Sequence, residues 1–137
     1  MGPTSQVARV VVHYADGLIL KGFLRSFDPG KDSFPLMLRE AEPGASPLHV
    51  RVADLKAVFF VEDFDGEPQY QERKEFLANA AGRRLAVRFH DGEELLGTSL
   101  TYHPSRTGFF LFPGDPGSNN DKVFVVASAV TDVRPAA

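Results

Sequence analysis

The densest cluster of reactive side chains is His90-Asp91-Gly92-Glu93-Glu94, one imidazole and three carboxylates in consecutive order around a glycine. Such a set could supply a carboxylate pair for general acid–base work or an imidazole for a metal ion. The Asp-Gly at its centre marks a hairpin tip, however, and a metal needs ligands that converge from several elements. The expected state is a solvated turn. His13, His49 and His103 stand apart from it and from one another. Cysteine is absent, which excludes thiol nucleophiles, Cys-ligated zinc, iron–sulfur clusters and disulfides. No phosphate-cradling glycine loop, G-x-S-x-G elbow or H-E-x-x-H helix occurs either. The chain is therefore expected to have no catalytic, cofactor-binding or metal-binding residues and not to be an enzyme, with His90 and its neighbouring carboxylates as the one enzymatic alternative.

The elements that would position these residues come in two copies. Val10 to Gly17 falls on Leu85 to Gly92, with Asp16-Gly17 over Asp91-Gly92 at a displacement of 75 positions. The same offset brings Leu20 onto Leu95, Gly22 onto Gly97, Pro29 onto Pro104, Phe34 onto Phe109 and Leu36 onto Leu111. A later stretch, Val50 to Val58, parallels Phe124 to Val133 if one residue of slippage is allowed. Each copy reads as alternating apolar residues, Asp-Gly, and a second run ending in glycine, the pattern of a hairpin with a type I′ turn. Gly22 and Gly97 inside strand patterns point to a bulge or bend. A third strand follows at Phe34–Leu38 or Phe109–Phe112, a fourth at about Leu48–Val52 or Val123–Val126, and then a final apolar strand. The fold class expected is mainly β: two tandem small Sm/SH3-like barrels or half-barrels joined by a short α-helix. The boundaries are 7–64 for the first repeat, 65–83 for the helical linker and 84–134 for the second repeat. Within the linker, Pro68 to Gly82 carries helix formers, an early proline and a closing glycine.

The repeat also tests the histidines. His13 corresponds to Arg88, His90 to Ala15 and His103 to Asp28, so none of these three is shared by both copies. Aromatic placement is more informative. Alternation that points Phe34, Leu36, Phe109 and Leu111 inward turns Pro35 and Met37 outward in one copy but Phe110 and Phe112 in the other. Those two rings either bury against the helix or the other barrel, or form a protein-binding patch. The turn from Pro113 to Asp121 is rich in side chains that bond their own backbone. The candidate partner-binding residues are thus Phe110, Phe112, Asn119, Asn120 and Arg106.

The run Leu55-Lys-Ala-Val-Phe-Phe-Val-Glu-Asp-Phe-Asp-Gly, with Tyr70-Gln-Glu-Arg-Lys-Glu-Phe after it, resembles a bacterial family of small proteins of unknown function. Gly108-Phe-Phe-Leu-Phe-Pro-Gly-Asp-Pro, Ser118-Asn-Asn and Val123-Phe-Val-Val are similar to that family's second half. The strand, Asp-Gly, strand, Gly pattern also resembles Sm-like RNA-binding proteins. Where those proteins carry a base-holding Asn and an Arg-Gly pair, this chain has Phe34 or Phe109 and Val52-Ala or Val126-Ala.

The chain has 137 residues, a net charge of −3 and no block of like charge. A basic stripe of the kind that neutralises phosphates is missing. No apolar run is long enough to cross a bilayer, and Met1 to Gln6 lacks the regions of a signal peptide, so a soluble, cytoplasmic protein is expected. The function expected is a non-catalytic adaptor that binds a bacterial signalling protein, a receiver domain or a small Ras-like GTPase. The alternative is an Sm-like RNA- or ligand-binding module in which Phe110, Phe112 and Arg106 supply stacking and phosphate contacts.

Overall fold

The computed structural model describes residues 7–65, 82–114 and 119–136. Among these residues are ten antiparallel strands: β1 Ala8–Tyr14, β2 Ile19–Leu24, β3 Ser33–Leu38, β4 Leu48–Arg51, β5 Leu55–Val61, β6 Arg83–Phe89, β7 Glu94–Ser99, β8 Gly108–Pro113, β9 Asn120–Val126 and β10 Val130–Pro135. A single 3₁₀ turn precedes the last strand of each repeat, Val52–Asp54 and Ala127–Ala129. The expected helix over Pro68 to Gly82 lies outside the described residues, apart from Gly82 at its end.

The 75-residue offset holds throughout, including the stretch where the sequence suggested a slip. Phe34 pairs with Val50 as Phe109 pairs with Val125, and Gly22 pairs with Leu38 as Gly97 pairs with Pro113. Ala15 N–H bonds to Asp54 O as His90 N–H bonds to Ala129 O. The slippage is not needed because the third and fourth strands fix each other's register, and a slipped strand would turn its core residues outward.

The hairpin turns depart from expectation in one respect. A type I′ turn needs positive φ at both Asp and Gly, but only Gly17 (φ 101°) and Gly92 (φ 92°) are positive, and no described non-glycine residue is. Gly17 N–H donates to Tyr14 O, Tyr14 N–H to Leu18 O, and Asp16 Oδ1 accepts from Leu18 N–H. The second turn repeats this with Phe89, Asp91, Gly92 and Glu93. The aspartate thus caps the turn through its side chain, and the glycine takes the left-handed position of a longer loop.

The strands run in one open sheet, in the order β10-β6-β7-β8-β9-β5-β1-β2-β3-β4. Tandem barrels or half-barrels joined by a short helix were expected, and the described residues show the mainly β part of that expectation as one sheet. The repeats are welded by hydrogen bonds between β5, the last strand of the first, and β9, the fourth strand of the second. The weld has a clear cause in composition. β5 reads Leu-Lys-Ala-Val-Phe-Phe-Val and is buried at every position, which requires cover on both faces and both edges. Its alternate residues enter different cores: Ala57, Phe59 and Val61 pack with Val87, Phe109 and Val125 of the second repeat, and Val58 and Phe60 with Val12, Phe34 and Val50 of the first.

Candidate functional site

Three places bring polar or aromatic side chains of the two repeats together. In the first, the hairpin tip that looked reactive in the sequence closes on β5. Lys56, only 9% exposed, donates to Asp91 Oδ2 at 2.6 Å and also to Glu93 Oε1, and its ammonium lies 4.8 Å from the centre of the Phe89 ring. Burial alone would lower the Lys56 pKa. The bonds to Asp91 and Glu93 and their charges outweigh it, and the net direction is up. The bond from Lys56 holds Asp91 below the usual carboxylate range. The His13 ring meets Phe59 at a tilt, with centroids 4.6 Å apart, and burial, then the Lys56 charge, lowers its pKa. These groups satisfy one another, so the turn is a clamp between repeats and not merely solvated. Position 131, which corresponds to Lys56, holds Thr131, so the lysine is not repeated in the second copy.

The second place is an aromatic seam. Phe27, Phe60, Phe110 and Phe124 meet edge to face or tilted at 5.0 to 6.0 Å, and Lys122 lies over the rings of both Phe60 and Phe110. Phe110 is therefore partly covered by the first repeat's core. Phe112, two residues on, is 41% exposed. Asn119 grips the chain after β5: its Oδ1 accepts from Asp63 N–H, its Nδ2 donates to Asp63 O, and its own carbonyl accepts from Glu62 N–H. Asn120 follows in β9, opposite Val61. Arg106 sits in the loop before β8, at the other end of that strand from Phe112. The five candidates thus do not form one surface: Asn119 and Asn120 hold the weld, Phe110 fills the seam, and Arg106 and Phe112 lie apart.

The third place was not legible in the sequence. A groove of about 300 Å³ is lined by Lys31, Asp32, Arg51, Val52, Ala53, Thr107, Val126, Ala127 and Ser128. Apart from Lys31, these are four pairs of equivalent positions: Asp32 with Thr107, Arg51 with Val126, Val52 with Ala127 and Ala53 with Ser128. The groove exists because β5–β9 pairing sets the two 3₁₀ turns side by side. The recurrence of a small residue at the same position of both copies, Ala53 and Ser128, was the available signal. Its floor is aliphatic, its cations Lys31 and Arg51 stand at the first repeat's side, and no aromatic ring lines it.

Residues 6–137 match the model of a family of unknown function (DUF6982). The chain belongs to this family. Neither a curated protein nor a solved structure matches it. In this DUF6982 chain the groove brings equivalent positions of both halves to a shared cavity. Among the described residues, no group of three or more His, Asp or Glu could hold a metal ion, and none of the helices is long and apolar enough to cross a membrane.

Proposed function

We propose that the protein is a non-catalytic adaptor that holds an extended segment of another protein in the groove between its repeats. Each half would be a small Sm/SH3-like half-barrel. That reading is supported by the first five strands, which all contribute to one core cluster. The observation that carries the functional proposal is the lining of the groove by the same four positions of each repeat. Two like surfaces side by side suit a chain that runs across both. Val52, Ala53, Val126 and Ala127 offer room for small apolar side chains, and Lys31 and Arg51 select a carboxylate at one end. Sequence-tolerant RNA binding rests on aromatic platforms, and the lining has none, which favours peptide over RNA. A receiver domain and a small Ras-like GTPase are the partners to test first.

The test uses the tagged chain against purified candidates and against single-stranded RNA, by calorimetry or fluorescence anisotropy. The expected result is protein binding weakened at least tenfold by Lys31→Glu with Arg51→Glu and unchanged by Phe112→Ser. Loss with Phe112→Ser alone would move the site to the exposed aromatic face. Salt-dependent RNA affinity with no protein binding would replace the adaptor reading with the Sm-like one.

A further inference from the structure

Among the described residues the sheet ends at two edges, β4 and β10, with no strand beyond them, and these are the same two kinds of strand that pair at its centre. β4 is the fourth strand of the first repeat, as β9 is of the second; β10 is the fifth strand of the second, as β5 is of the first. Copies of the chain could in principle add end to end, each new junction repeating the β5–β9 weld. A heterologous contact of that kind closes into a ring or grows into a fibre.

Backbone direction decides what each edge offers. In an antiparallel ladder the groups of alternate residues point to opposite neighbours. Val52 N–H donates to Asp32 O across the β3–β4 pair, so positions 48 and 50 also face β3, and 47, 49 and 51 face the open side. Ala136 N–H donates to Arg84 O, so positions 134 and 132 face β6, and 133 and 135 face outward. At the internal weld, Glu62 N–H donates to Asn119 O, and by the same alternation Phe60 and Val58 face β9, opposite Lys122 and Phe124. Shifted by 75, Lys122 becomes Pro47 and Phe60 becomes Pro135. At both open edges the residue that would form this outward pair is a proline, without an N–H and with a ring directed at the newcomer.

A second difference points the same way. Ala57 and Phe59 lie inside the partner repeat's core, and their equivalents in β10 are Asp132 and Arg134. These pair with each other at 2.9 Å, and Arg134 also pairs with Glu94 at 2.6 Å. An added copy would have to bury those charges, which costs more than their mutual attraction returns unless further bonds form. We infer that the chain is a two-unit section of an edge-to-edge array whose growth is stopped at both ends by Pro47, Pro135 and the Asp132–Arg134 pair.

The test restores the weld's residues at the edges: Pro47→Lys, Pro135→Phe, Asp132→Ala and Arg134→Phe together, with the two proline replacements alone as a milder variant. Light scattering after size exclusion is followed over a concentration series, with circular dichroism as the check of folding and hydrogen exchange read at His49 and Val133. The wild-type mass is expected to stay constant, with both amides exchanging freely. The fourfold variant should at least double its average mass and protect both amides. If that variant does not fold, the proline pair alone carries the test and should still show protection that rises with concentration. Protection of His49 and Val133 in the wild type would overturn the inference. So would folded variants whose mass and exchange match the wild type.

Discussion

Lys56 is the residue on which the contact between hairpin tip and central strand depends. Its two carboxylate partners are about half exposed, 54% for Asp91 and 44% for Glu93, so solvent screens much of the attraction. Lys56→Met keeps the stem over Phe89 and removes the charge; a loss of about 1 kcal/mol at neutral pH is expected in urea unfolding. The sign of the pH effect follows from the shifts. Asp91 is depressed in the folded state, so its contribution is present above its unfolded value of 3.8 and is lost as pH falls through the folded value. Lys56 is raised, so its contribution is present below 10.5 and is lost as pH rises through the folded value. The difference between wild type and Lys56→Met should therefore shrink at both extremes. His13 acts oppositely to a salt-bridged histidine. Its folded pKa is lowered, so the unfolded chain takes up the proton first, and stability falls as pH drops below about 6.5. His13→Phe should flatten the stability profile between roughly pH 6.5 and 5, measured by denaturant titrations across that window.

At the level of the element, two glycines set how closely β2 meets β3 and β7 meets β8. A Cβ on Gly22 would lie 2.4 Å from Met37 O, and one on Gly97 2.3 Å from Phe112 O, both backbone atoms that side-chain rotation cannot move. Alanine at either position is expected to cost about 2–3 kcal/mol by forcing the strands apart, read as a shift in urea midpoint. The equality of the two effects is itself a test of the duplication. Asn119 works at the other end of the weld. Asn119→Ala removes both side-chain bonds to Asp63 and should cost about 1–2 kcal/mol, with faster exchange of the Asp63 amide and little change elsewhere.

For the whole molecule, the β5–β9 pairing joins two repeats into one sheet with interleaved cores. Phe124 belongs to the second repeat but packs in the first repeat's core, while Phe59 belongs to the first and packs in the second's. Neither core is complete without the other half. Unfolding should be a single transition, with curves from far-ultraviolet circular dichroism and from the tyrosine fluorescence of Tyr14→Phe and Tyr102→Phe variants coinciding. Phe124→Ala, which empties a site 1% exposed, is expected to cost about 3–5 kcal/mol and to lower both fluorescence transitions together.

Much of this was legible in the residues. The repeat, its 75-residue offset, the hairpins and the inward alternation of Phe34, Leu36, Phe109 and Leu111 follow from local pattern, because side-chain period and turn chemistry act within a few residues. Even the asymmetry of the two fifth strands is written there: Lys-Ala-Val-Phe-Phe in one, Thr-Asp-Val-Arg-Pro in the other. What the pattern could not give was the partner of each edge. The apolar run of β5 requires cover on both sides but does not name β9 as the strand that supplies it, since hydrogen bonds between backbones carry no residue identity. The groove, the Lys56 clamp and the divergence of Phe110 from Phe112 all follow from that one pairing. They join positions far apart in the chain, and only the tertiary structure decided them.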